Sequence, residues 1–295
     1  MRPDILNKHT SSRAVLQNFW LLVPALTPET RDGFMRSGDV SLCSAALAAH
    51  RAQDTSSLDR AMRGLSDRPV AIEWGDSDED GVDRRVFRLP NDATMSIREL
   101  SFERGGFGGA VWDSGVAMSI FVSLGAGRAA VRGKRVLELG SGSGLGGISA
   151  ALAGADSVVL SDYATKGKSS RLQANLLRNA RDSNVGSGDG GSASAEVLDW
   201  NDCMRPEYVP SSRYPVVLGA DVIYYEHLAA PLAAAIIAHT AEGGDCYLMN
   251  RVGRPGLDSL LARLGEAGEL QTTDYTIVNN FDSTQLRLAI WRSPS

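Results

Sequence analysis

One stretch constrains the fold of this chain more than any other: Lys134-Arg135-Val136-Leu137-Glu138-Leu139-Gly140-Ser141-Gly142-Ser143-Gly144-Leu145-Gly146-Gly147. A short apolar run, written as a buried strand, ends in a carboxylate and then in a burst of glycines. Beyond the glycines, Leu145, Ile148 and Leu152 recur at helical spacing. A strand that turns through glycine into a helix N-terminus is where α/β proteins hold a cofactor, because glycine lets the backbone approach a ligand closely.

The same strand-helix rhythm continues downstream. Ser157–Asp162, Ala195–Leu198, Pro215–Ala220 and Asp245–Asn250 read as strands, with helices carrying Leu172, Leu176, Leu177 and Ala180, then roughly Leu228 to His239, then Leu257 to Leu264. Thr273–Val278 and Gln285–Trp291 follow each other with no helix between them, which predicts a C-terminal antiparallel hairpin. The expected fold is α/β: a Rossmann-like, seven-stranded, mostly parallel sheet with an antiparallel member at its edge. Upstream, Arg85–Leu89 and Thr94–Leu100 alternate on either side of Pro90-Asn91-Asp92, as a β-hairpin does. Val111-Trp112-Asp113-Ser114-Gly115 then opens a helix with Asp113 or Ser114 as cap and Val116, Ile120, Phe121 and Leu124 on one face.

Residues 1 to about 70 read as a helical extension, from the spacing of Val15, Leu16, Phe19, Trp20 and Val23, the Thr27-Pro28-Glu29-Thr30 helix start, and the alanine-rich Val40–His50 segment. The acidic run between Gly75 and Asp83 lacks calcium-loop spacing and reads as a solvated linker. The expected division is therefore 1–83, a helical extension with linker, and 84–295, the α/β domain. Residues 182–195, dominated by Gly, Ser and Asp, read as a flexible insertion.

A net charge of -5 over 295 residues gives no basic field for nucleic acid. Cys43, Cys203 and Cys246, like the scattered histidines, form no metal-ligand spacing, and no metal is expected. The N-terminus lacks a secretory apolar core and no apolar run is long enough for a bilayer, so the expected setting is the cytoplasm or nucleus, with no membrane partner.

The glycines parse in two ways. Gly142-x-Gly144-x-x-Gly147 matches a dinucleotide fingerprint, whereas Glu138 followed by Gly140-x-Gly142-x-Gly144 matches the loop that binds S-adenosylmethionine (SAM). Glu138 would repel a pyrophosphate and suits a ligand carrying ammonium and sulfonium charge. Asp162, about 20 residues on, could bond ribose in either cofactor. The C-terminal hairpin departs from the usual dinucleotide sheet, so SAM is favoured.

At this point the sequence resembles the seven-β-strand protein lysine methyltransferases, the group acting on chaperones and elongation factors. The resemblance runs from about Arg84 to the C-terminus. It is carried by Val111-Trp112-Asp113-Ser114-Gly115, the glycine loop, Ser161-Asp162-Tyr163, Leu172-Gln173-Ala174-Asn175 with Asn179, Leu198-Asp199-Trp200, and Gly219-Ala220-Asp221-Val222-Ile223-Tyr224. The resemblance implies that Trp112, Glu138, Gly140, Gly142 and Gly144 surround the methionine half of SAM. It places Asp162 at the ribose and Trp200 near the adenine, with Ala220 also on the cofactor side. Asp221 and Tyr224 would line the methyl-acceptor channel and act in catalysis. The implied activity is methyl transfer to a lysine of a protein, such as a chaperone or translation factor. The alternatives are a histidine or small-molecule acceptor, a nicotinamide-dependent oxidoreductase, and a SAM-fold protein that binds without catalysis. A nucleic-acid amine is disfavoured, because Ala220-Asp221-Val222-Ile223-Tyr224 is not the Asn/Asp-Pro-Pro-Tyr clamp used on planar amino groups.

Overall fold

The computed structural model describes residues 18–24, 70–74, 82, 84–163, 169–186, 191–279 and 283–295. The strands in chain order are β1 Asn18–Pro24, β2 Val70–Trp74, β3 Arg84–Arg88, β4 Thr94–Arg98, β5 Arg135–Leu139, β6 Ser157–Asp162, β7 Ser192–Val197, β8 Tyr214–Ala220, β9 Thr240–Arg251, β10 Glu269–Asn279 and β11 Ser283–Arg292. The described helices are α1 Phe102–Gly105, α2 Asp113–Ser123, α3 Gly125–Val131, α4 Leu145–Leu152, α5 Ser169–Asp182, α6 Ala229–His239 and α7 Leu257–Ala267. All the strands lie in one sheet of order β4-β3-β2-β1-β10-β11-β9-β8-β5-β6-β7.

The seven expected strands are there, and β5 to β9 are mutually parallel. The antiparallel strand is not at an edge. β11 lies between β9 and β10, antiparallel to both. Its burial explains this: Leu286 and Leu288 enter one core and Ala289 and Trp291 the other, so both of its faces are covered. The helical reading of the Val15–Val23 spacing also gives way. Asn18–Pro24 is a strand, paired antiparallel with β10 on one side and β2 on the other. The proposed helices at 27–30 and 40–50 and most of the acidic run at 75–83 lie outside the described residues.

Two further boundaries move. The strand expected at Ala195 starts at Ser192, well inside the predicted insertion, and pairs in parallel with β6 from Ser157 onward. Gly191 makes this approach possible, since a Cβ there would lie 1.8 Å from the carbonyl oxygen of Ala155. The helix expected to present one apolar face, α2, is instead buried all round, with nine of its 11 residues inside. Two of its serines are tolerated because their hydroxyls bond backbone carbonyls, Ser119 to Gly115 at 2.8 Å and Ser123 to Ser119 at 2.6 Å. No side chain caps it, and its N-cap position is Trp112 rather than Asp113 or Ser114.

Alternation along β5 sorts the two cores. Val136 packs with α2 and α4 on one face, while Leu137 and Leu139 pack with α6 and α7 on the other. The β3-β4 hairpin adds Phe87, Met95 and Ile97 to the first core. β5 sits between β6 and β8, so the chain direction of strand addition reverses beside it. In an open α/β sheet the crevice at that reversal, outside the carboxyl ends of the strands, is where ligands bind. Among the described residues, no single helix is long and apolar enough to cross a membrane.

Candidate functional site

A cavity of about 520 Å³ opens at this reversal, within the size range of small-molecule sites. Its walls include Trp112, Glu138, Gly140, Gly142, Asp162, Trp200, Ala220, Asp221 and Tyr224. The structure thus brings together nine of the ten residues singled out in the sequence. Gly144 is the exception. It is the left-handed N-cap of α4 and lies behind the wall, where a Cβ would meet Leu176 and Ile148.

The glycine loop is shaped by backbone. Gly140, Gly142 and Gly144 have φ of 61°, 55° and 85°, a region that side-chain-bearing residues avoid. The loop is braced from two sides. Asp162 Oδ2 accepts the Gly142 N–H at 2.7 Å and Ser161 Oγ donates to the Glu138 carbonyl at 2.7 Å. From α5, Asn179 Nδ2 donates to the Ser143 carbonyl at 2.9 Å while its Oδ1 accepts the Arg98 N–H at 2.9 Å. A buried amide satisfied on both ends fixes the loop to the hairpin. Asp162 Oδ1 also accepts the Tyr163 N–H at 2.7 Å, so this carboxylate orders both the glycine loop and the chain leaving β6.

Glu138 is 2% exposed, on the α4 side of β5. Gly146 and Gly147 let it in: a Cβ on Gly147 would lie 2.4 Å from Leu160 Cδ2 and 2.7 Å from Glu138 Oε2. Among the described residues Oε2 has no hydrogen-bond partner, and burial pushes the pKa of this carboxyl up to about 8. Trp200 packs its ring beside Gly140, and its buried Nε1 also has no partner among the described residues. Trp112, opposite, donates from Nε1 to the Phe107 carbonyl at 3.0 Å, which ties the 106–109 turn to the start of α2.

Asp221 stands directly after β8, the strand next to β5. It is one of the few non-glycine residues with left-handed φ among the described residues, 54°, and is held there by its N–H bond to the Met249 carbonyl at 2.9 Å. Next along, Ile223 N–H donates to Asn250 Oδ1 at 3.4 Å, so both anchors of this turn come from the end of β9. Burial raises the Asp221 pKa, opposed first by a hydrogen bond from Arg254. Tyr224 belongs to a chain of rings: Phe102 to Phe107 at 5.2 Å, Phe107 to Tyr224 at 5.9 Å, Tyr224 to Tyr225 at 5.0 Å, and Tyr225 to His227 at 5.5 Å. Burial raises the Tyr224 pKa as well, so its hydroxyl stays protonated. His227 is exposed, in a 3₁₀ turn, and stacks on Tyr225.

Sequence reasoning misses Arg254, Phe107 and Tyr225, all of which line the cavity. Beside Tyr224 in the chain, Tyr225 reads as core packing, yet it is 48% exposed. Four carboxyl residues line the cavity, Glu138, Asp162, Asp199 and Asp221, against Arg254 and His227. Even with Glu138 holding its proton, the acids outnumber Arg254, and a cleft so lined favours a cation over a phosphate chain.

Fold and site therefore define an open α/β protein with a ligand cleft at the strand reversal, one that suits a cationic ligand. A family model described as "Lysine methyltransferase" matches residues 90–256. The chain belongs to that lysine methyltransferase family. It is 31% identical over 149 residues to the protein N-lysine methyltransferase METTL21A of Danio rerio, a match covering 50% of this chain and 62% of that one. It is 31% identical over 172 residues to the EEF1A lysine methyltransferase 3 of Mus musculus, covering 58% of this chain and 67% of that one. The match thus spans less than two thirds of the METTL21A relative. Among solved structures, the chain overlaps the 16S rRNA N2 G1207 methyltransferase of T. thermophilus, bound to AdoMet and guanosine, with a TM-score of 0.48. That overlap has 19% identity and covers 71% of this chain and 50% of the other.

SAM is the cofactor of this class of enzyme, and the residues present fit it. Glu138 and Trp200 both line the cavity, and each keeps a buried polar atom, Oε2 and Nε1, without a partner among the described residues, one suited to a cation and the other to an acceptor on a flat ring. The backbone cradle at Gly140 and Gly142 would be filled by any side chain.

Proposed function

We propose that this protein transfers the methyl group of SAM to a lysine side chain of a protein substrate. The observation that carries the proposal is that Asp221 and Tyr224 line the same acid-lined cleft as the glycine loop. Trp112, Glu138, Gly140 and Gly142 would hold the methionine half of SAM, Asp162 the ribose and Trp200 the adenine. When bound, SAM supplies a methyl group on a sulfonium that leaves as a thioether needing no proton.

The residues of this chain then have to deliver a neutral amine. At pH 7 a lysine of ordinary pKa, about 10.4, is neutral only about once in 2,500, a cost near 4.6 kcal/mol. Desolvation in the cleft works against the ammonium and reduces that cost. Asp221 draws the cationic side chain in and accepts an N–H once the proton has left to solvent. The protonated Tyr224 hydroxyl aligns the amine, and Phe107 and Tyr225 cover its aliphatic stem. Such positioning supplies much of the acceleration in a displacement reaction.

The relative named for EEF1A supports a translation factor as the acceptor, and with it a cytoplasmic setting. The acidic lining supports protein over nucleic acid. An Asp221→Ala variant tests the reading: SAM should bind as in wild type while methyl transfer falls by about two orders of magnitude or more. Transfer at the wild-type rate removes Asp221 from the mechanism.

A further inference from the structure

The Asp221 carboxylate does not face the cleft alone. Arg254, in the turn between β9 and α7, donates from Nε to Oδ1 and from Nη2 to Oδ2, each at 3.2 Å. The Asp221 side chain is 4% exposed and that of Arg254 27%, and both residues line the cavity. The pair is built from two constrained segments. Asp221 is pinned in its left-handed conformation by β9. The turn holding Arg254 is closed by the Leu257 N–H on the Arg254 carbonyl at 3.1 Å. It is also pressed against the aromatic segment, since a Cβ on the left-handed Gly256 would lie 2.8 Å from the Tyr225 carbonyl oxygen.

The chemistry of such a pair follows from burial. A carboxyl this deeply buried, without a cation, takes up a proton, and a neutral acid cannot balance an ammonium. The charged groups facing Asp221 are Arg254 from the turn, Arg251 at the end of β9 and Asp113 at the start of α2. The two arginines favour the carboxylate and Asp113 opposes it. Of these, Arg254 bonds Asp221 directly, and its planar fork meets both oxygens in a way a lysine's point charge cannot. Each oxygen keeps a lone pair, so an acceptor nitrogen can bond without displacing the guanidinium.

We propose that Arg254 is a positioning residue for methyl transfer, whose guanidinium holds both Asp221 oxygens in the cleft so that Asp221 meets the acceptor nitrogen as a carboxylate. The proposal rests on the reading of Asp221 as the acceptor-side group. Its test uses two readouts on the full chain. The first is the carboxyl ¹³C titration of Asp221, assigned with Asp221→Asn, in wild type, Arg254→Met and Arg254→Lys. The second is the pH profile of methyl transfer with purified elongation factor 1A as probe acceptor.

In Arg254→Met the Asp221 signal should titrate about one pH unit or more higher. The acid limb of kcat should move with it, and transfer at neutral pH should fall roughly tenfold or more, while the SAM Kd stays within about twofold. Arg254→Lys should restore most of the titration but only part of the rate. An Asp221 signal that titrates unchanged in Arg254→Met overturns the proposal, as does a loss of rate with an unmoved acid limb. Failure of the acceptor reading looks different: elongation factor 1A stays unlabelled by wild type while the ¹³C shift appears, and the clamp itself is then supported.

Discussion

Glutamine in place of Glu138 removes a carboxyl that burial has moved into the neutral range, and the structure fixes what should follow. The folded chain holds the Glu138 proton up to a pKa of about 8, whereas the ordinary value is 4.5. A raised folded-state pKa on an acid means that the folded chain binds the proton through a window where the unfolded chain has lost it. Its contribution to stability is therefore complete below 4.5 and is lost as pH rises toward and through about 8. At 1.36 kcal/mol per unit, wild type loses roughly 3 to 4 kcal/mol from this group between pH 5 and 8. For a domain of this size that is on the order of 10 °C in Tm.

Asp162 and Asp221 are raised too and slope the same way, but both remain in the variant, so the difference between the two curves isolates Glu138. The level of the Glu138→Gln curve depends on how the new amide is partnered; its slope does not. The assay is thermal unfolding of apo wild type and Glu138→Gln at half-unit steps of pH. Adding SAM turns the dependence round. A cation beside Glu138 favours the carboxylate, so wild-type affinity should climb with pH relative to the variant, by up to about tenfold per unit below pH 8. Parallel Tm curves for the two apo proteins would refute the reasoning.

Gly147→Ala should destabilise the protein by about 1 to 3 kcal/mol, because the new methyl group would meet Leu160 at 2.4 Å and Glu138 at 2.7 Å, and both are buried; chemical unfolding measures this. Phe102, 64% exposed and edge-on to Phe107, is the outermost ring of the aromatic chain. Phe102→Ser should raise KM for the protein acceptor roughly two- to tenfold, with the SAM Kd unchanged by calorimetry.

What the sequence reveals and what it hides divide by distance along the chain. The glycine loop, its preceding carboxylate and the strand-helix alternation are local patterns and are legible as such, whereas Trp112, Trp200, Ala220, Asp221 and Tyr224 come to the cleft through the family resemblance. The strand at Asn18–Pro24 is hidden because its apolar spacing fits a helix as well as a strand. What decides between them is pairing across the chain, Trp20 against Asn279 and Asn18 against Ile72. The interior place of β11 likewise depends on which faces are covered, not on the two-residue period itself. Arg254 carries no local mark. It is 33 residues from Asp221 and reaches it only through the turn after β9.

The central claim is that this cleft moves a methyl group onto lysine. The direct measurement is incubation of the protein with isotope-labelled methyl SAM and elongation factor 1A or a cell extract, followed by mass spectrometric identification of the labelled residue. A labelled lysine in a protein, absent when Asp221→Ala replaces wild type, is the predicted result. Label confined to nucleic acid or small molecules, or no label in any fraction although SAM is bound, would contradict it.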